Sequence, residues 1–140
     1  MIQEARSAGA TAATQRNQEL INGGTVWEVF DADLAENRIP GGNSYTMHDV
    51  CGFAWIHVPN GRDKVVQAMK KVVGEGNQSM RASVSKAYGK TGYDIHIYDM
   101  ENHLGPNCQY MSVQAAAYSA ALQVLQRYGL GDARVVTRID

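Results

Sequence analysis

The apolar positions of this chain repeat with two different periods, and the switches between them mark out its elements. CGFAWIHV, residues 51–58, is a β-branched and aromatic run closed by Pro59-Asn60-Gly61, which predicts a strand. Just beyond it Val65/Val66, Met69 and Val72/Val73 recur at helical spacing. They predict a helix over 63–73 that Gly74-Glu75-Gly76 stops. YDIHIYDM (93–100) and ARVVTRID (133–140) read as two further strands, and TVWEVFDA (25–32) as a shorter one. ENRIPGGNS (36–44) is a loop by its Pro-Gly-Gly-Asn turn chemistry.

The longest helical pattern runs from Cys108 to Tyr128 and is broken by Gly129-Leu130-Gly131. Met111, Ala115, Tyr118, Leu122 and Leu125 form one apolar stripe; Val113, Ala117, Ala121, Val124 and Tyr128 form a second. So wide an arc predicts a helix buried on two sides, against the sheet and against another helix or a second subunit. An opening helix over 2–21 carries little apolar surface and has Gly9 in its middle, as suits a surface helix or an arm that orders on a partner. A weaker helix is expected around 78–88, with Met80, Val84, Ala87 and Tyr88 on one side.

This order predicts an α/β fold, a two-layer sandwich of a small mixed β-sheet with helices mainly on one face. Residues 1–24 form an N-terminal helix or arm, and 25–140 a single α/β domain. The step from the 93–100 strand through the long helix to the last strand predicts a right-handed parallel crossover.

Alternation along the strands then assigns two faces. Ala54, Ile56, Val58, Ile95, Ile97, Ala133, Val135 and Ile139 make the inner set. The outer set collects Phe53, Trp55, His57, Asp94, His96, Tyr98, Arg134, Val136 and Arg138. Aromatic rings mixed with arginines suit a protein interface, where Trp, Tyr and Arg supply most of the energy. They also suit stacking on single-stranded nucleic acid. A third reading has the N-terminal helix or the 31–47 loop folding over this face.

Charge shifts the balance among these. The formal net charge is −1, so no bulk attraction draws the chain to nucleic acid or an anionic membrane, and Asp94 sits in the middle of the face. The charges are unevenly spread. Five acids and one arginine lie between Glu28 and Asp49; seven basic residues and two acids lie between Arg62 and Lys90. With 44% hydrophobic and 19% charged residues the chain reads as globular. No run approaches a membrane span, and the N-terminus lacks the apolar core of a secretory signal. Cys51 and Cys108 are therefore expected as reduced thiols in a cytosolic setting.

Catalytic and metal chemistry have few candidates. His48, Cys51, His103 and Cys108 form a two-cysteine, two-histidine set that zinc accepts, although their spacing matches no standard finger. They can meet only if the 51–58 and 93–100 strands run antiparallel. A parallel pair would instead gather His57, His96, Asp99 and His103 at one end. No cofactor is otherwise indicated. IHVP and IHIY each place a histidine after an isoleucine, as in two-histidine phosphoesterases, and His57 and His96 would then be general acid and base. That family carries Ser or Thr two positions after each His, where this chain has Pro59 and Tyr98. GKT within AYGKTG is no phosphate loop, because Val84 stands where its first glycine belongs. Cys51 opens an apolar strand, a place for a buried thiol rather than a nucleophile.

DVCGFAWIHV, KAYG before a second strand, LQRYGLG (125–131) at the end of an Ala-rich helix, and a terminal Arg138-x-Asp140 together resemble a family of small, uncharacterised bacteriophage proteins. The likeness covers residues 49–140; Lys90 stands where the family's turn has a second glycine. The resemblance implies a phage accessory or virion-associated protein, located in the host cytoplasm or the virion. The reading that follows is a non-enzymatic binding or assembly module acting through a protein partner or self-association. Its alternative is a small metal-assisted or two-histidine hydrolase.

Overall fold

The doubly apolar helix forms as α3 (Met111–Arg127) and buries residues of both stripes, Tyr118 and Leu125 of one and Val113, Ala117, Ala121 and Val124 of the other; Tyr128, expected to continue the second, is 53% exposed just past the helix end. The computed structural model describes residues 1–23, 27–30, 34–35, 37, 39–42, 44–74 and 79–140. Gly24, Thr25, Val26, Asp31, Ala32, Glu36, Arg38, Asn43, Glu75, Gly76 and Gln78, on which several predicted boundaries fall, lie outside those residues. One side of α3 packs on the sheet, and the other on α1 (Ile2–Gly23). α1 buries Ile2, Ala5, Gly9, Ala13 and Leu20. Gly9 serves close approach: a Cβ there would run into the Met100 sulfur and lie 3.1 Å from the Ala117 carbonyl oxygen. The residue that weakens α1 as an isolated helix is thus what lets it dock.

The remaining elements are β1 (Trp27–Phe30), β2 (Ser44–Met47), β3 (Gly52–Val58), α2 (Lys64–Val73), β4 (Ala82–Lys86), β5 (Tyr93–Ile97) and β6 (Arg134–Ile139). Short 3₁₀ segments cover Ser79–Arg81 and Asn102–Gln109. β1 and β2 pair with each other as a separate antiparallel ribbon. The main sheet has the order β4-β5-β3-β6 and forms one layer against the helices. It is antiparallel at every pairing rather than mixed. β5 and β6 do run in the same direction with α3 connecting them, as a crossover requires. The chain has placed β3 antiparallel between them, so they never pair.

Val84, Ile95, Ile56 and Val135 stand in one row across the inner face, and the first three are fully buried. Ile139, opposite Gly52 at the end of an edge strand, is exposed, so the inner set stops at Val135. The segment expected as a helix around 78–88 is β4 instead. Positive φ at Met80 and Arg81 (both 56°) ends any helical path, and ASVSK then alternates inward Ala82 and Val84 with serines. Serine is a weak helix former, and pairing with β5 decides the segment. Met80 and Tyr88, half of the proposed helical stripe, are 56% and 99% exposed. β5 stops at Ile97, and Asp99 takes a φ of 64° that redirects the chain and returns Met100 to the core.

α2 buries Val65, Val66, Met69 and Val73, and packs on β4. Its N-cap, Asp63, is itself buried. Asp63 Oδ1 accepts from the N–H groups of Val65 (2.9 Å) and Val66 (3.3 Å), and Oδ2 accepts from Gly131 N–H (2.9 Å). One carboxylate therefore holds the start of α2 and the chain leaving α3. Among the described residues, no helix is long and apolar enough to cross a membrane. Asp63→Ala is expected to lower the unfolding free energy by about 2–3 kcal/mol, the sum of a lost cap and a buried N–H left unpaired. Asp63→Ser, which keeps the cap alone, should lose about half of that in urea denaturation.

Candidate functional site

The register places the predicted outer set on one side of the sheet. Phe53 faces Arg138, Trp55 faces Val136, and His57 faces both Asp94 and Arg134. Phe53, Arg134 and Arg138 are exposed; Trp55, His96 and Tyr98 are half-buried. The rings of Trp55, His96 and Tyr98 form a ladder, with centroids 6.2 and 6.4 Å apart and planes inclined by 23° and 12°. Arg138 lies 5.8 Å from the Phe53 ring centroid. The Tyr98 hydroxyl shares a hydrogen bond with Ser83 Oγ (3.0 Å), and Arg6 of α1 donates to the Tyr98 carbonyl (3.1 Å).

The feature that makes this face more than a flat surface is a fork in the sheet. β3 and β5 pair from Val58–Tyr93 to Ile56–Ile95. Two residues further, that register would set Ala54 opposite Ile97, and the strands have parted. Two side chains of α3 take the vacated hydrogen-bonding positions. The Tyr118 hydroxyl accepts from Ile97 N–H (3.0 Å) and donates to Ile97 C=O (3.2 Å). Gln114 Oε1 accepts from Ala54 N–H (3.2 Å), while its amide donates to the Cys108 carbonyl (3.1 Å). Without them, polar backbone would stand unpaired inside the molecule.

The fork opens as a cleft of about 440 Å³. β3 supplies Phe53, Ala54 and Trp55 to it, and β5 with the residue after it supplies His96, Ile97 and Tyr98. Gln114, Tyr118, Glu101 and Arg138 complete the lining. This volume is within the range of sites that hold small molecules or a single large side chain. Burial lowers the basicity of His96 against the opposing pull of Asp94, so its ring is neutral near pH 7. Burial also pushes Tyr118 far above the usual phenol range and raises the Glu101 carboxyl, with Asp99 adding to the latter. Among the described residues, Glu101 Oε2 is buried with no hydrogen-bond partner.

The other sequence candidates have different surroundings. The sense of β3 and β5 is the one that brings the His48, Cys51, His103 and Cys108 ends of the strands together. His103 Nε2, however, lies 2.6 Å from Thr14 Oγ1 on α1, and the backbone N–H of His48 donates to the Tyr110 hydroxyl (3.1 Å). Cys51 bridges to Tyr110 through the backbone, and burial beside Glu101 pushes the Cys108 thiol up. Among the described residues, no three His, Cys, Asp or Glu side chains are gathered as a metal shell. His57, only 4% exposed, donates from Nδ1 to Asp94 Oδ1 (2.9 Å). His96 lines the cleft and His57 is not among its lining residues, so the two histidines do not converge on this cavity.

Sequence reasoning missed Gln114, Tyr118 and Glu101. The available signal was a Gln and a Tyr at i, i+4 spacing inside an otherwise apolar arc, two polar tips on a surface that must be buried. No family model, curated protein or solved structure matches this chain.

Tyr118→Phe removes one oxygen and leaves both polar groups of Ile97 unpaired. It should cost about 1–3 kcal/mol in urea denaturation and speed hydrogen exchange at the Ile97 amide. The raised pKa adds a second expectation. The unfolded phenol ionises from its usual value of 10.0 upward while the folded one stays protonated. Wild-type stability should therefore be whole below pH 10.0 and fall above it, with the Tyr118→Phe variant falling less steeply.

Proposed function

We propose that this protein is a non-enzymatic binding module that takes a segment of a protein partner on its outer sheet face, with the forked cleft as the anchoring pocket. The cleft is the observation that carries this reading. Anchor residues at protein interfaces fill preformed, desolvated pockets, and this pocket is preformed because α3 already satisfies its backbone. Its lining includes Phe53, Trp55, Tyr98 and Arg138, the residue types enriched at contact surfaces. Exposed Arg134 on β6, opposite His57, extends the face, while His57 itself is buried beneath it. Glu101 in the lining and Asp94 beside His57 disfavour phosphate, which argues against a nucleic-acid ligand. The sequence resemblance adds a setting, a phage accessory or virion-associated role in the host cytoplasm or the particle.

The test is selection of a random peptide library on the purified protein, followed by binding of each selected peptide to variants. Trp55→Ala should weaken these peptides at least about tenfold, and Phe53→Ser, at a more exposed ring, should weaken them as well. Both variants should melt within a few degrees of the wild type. Peptides that bind wild type and Trp55→Ala equally would place the contact surface elsewhere and overturn the proposal. Light scattering on the protein alone shows whether a second copy can serve as the partner: self-association lost in Trp55→Ala supports that choice.

A further inference from the structure

Resting on that reading, we infer that the cleft accepts a cationic side chain, lysine or arginine, from the partner. Three independent features converge on a positive charge with an apolar stem. The first is Glu101, which lines the cleft and, among the described residues, keeps Oε2 buried without a hydrogen-bond partner. A carboxyl group in the wall of a partly desolvated cleft attracts an ammonium or guanidinium group that enters it. The neighbouring acid, Asp99, has a cation in Arg81 at 3.2 Å.

The second is the wall. Phe53, Trp55, Tyr98 and Tyr118 all border the cavity. Aromatic faces attract cations through the ring quadrupole, and they also shelter the methylene stem of a long basic side chain. The third is that this surface already seats a guanidinium on a ring, Arg138 over Phe53. Arg138 also lines the cleft, but it is exposed, so solvent screens its repulsion of an incoming cation. His96 is neutral near pH 7 and adds no opposing charge. An acid among aromatic lining residues makes the site selective for a cation over an apolar side chain of the same length.

The probes are Nα-acetyl-lysine methylamide, Nα-acetyl-arginine methylamide and, as neutral isostere, Nα-acetyl-norleucine methylamide. NMR titration should show saturating shifts at Trp55, His96 and Tyr98 with at least one cationic probe, bound roughly tenfold tighter than norleucine. Glu101→Gln should bring that ratio close to one. It should also melt at or above the wild-type temperature, because an unmatched buried charge is removed; a purely structural Glu101 would show a lower melting point. Equal binding of the norleucine probe, or lysine binding unchanged in Glu101→Gln, overturns the inference. So does the lack of any shift in the wild type up to about 50 mM, a ceiling set by the weak affinity of so small a ligand. Peptides selected in the preceding experiment separate the two levels. Loss of binding in Trp55→Ala with no preference for lysine or arginine sinks the cationic anchor and leaves the binding face standing.

Discussion

The hydroxyl of Tyr118 is the hinge of this structure in the static sense: two strands diverge around it. A sheet edge inside a protein carries peptide groups that must be paired, and a strand normally pairs with a strand. Here Ile97 gives both its N–H and its C=O to one phenol, and Ala54 gives its N–H to Gln114. The sheet can therefore open without losing the hydrogen bonds that opening would otherwise cost. Tyr118 and Gln114 are one helical turn apart on the sheet-facing side of α3, so a single straight element sets both positions.

From that fork follow the shape and chemistry of the outer face. Where β3 and β5 stay paired, the face is closed and carries the buried His57–Asp94 pair. Where they part, the alternating side chains of the two strands become the walls of a cavity, and α3, the helical layer behind the sheet, becomes its floor. The aromatic ladder Trp55–His96–Tyr98 runs along this boundary. Polar and apolar groups are thus sorted by the register of two strands, and the segment that follows β5 adds Tyr98 and Glu101.

Much of this was readable from the residues alone, and the boundary of what was readable is physical. β3, α2 and α3 have long, strongly periodic apolar patterns with glycine or proline at their ends, and they form close to where the pattern sets them. Parity placed Phe53, Trp55, His96, Tyr98 and Arg138 together, because alternation in a strand survives whatever the strand pairs with. Partner choice did not survive in the same way. That β3 would slip between β5 and β6 depends on contacts between residues distant in the chain, and a crossover reads the same with or without a strand in between. β4 was mistaken for a helix because five residues with one central valine suit either period, and the free edge of β5 decided the matter. The fork was invisible because Tyr118 sits on an apolar stripe whose spacing records position and says nothing of the oxygen at the ring's tip.

The Asp63 clasp has a consequence in time. It joins backbone and side chain across 68 positions of sequence, and the β3–β6 ladder spans a longer interval still. Contacts of such separation reward the chain only after a large loop has been closed. The helices can flicker into being locally, and Asp63 can cap α2 at once, yet its second oxygen lacks the Gly131 N–H until the segment after α3 has arrived. The pace of folding is therefore governed by chain closure, and helix formation, however strongly patterned, waits upon it.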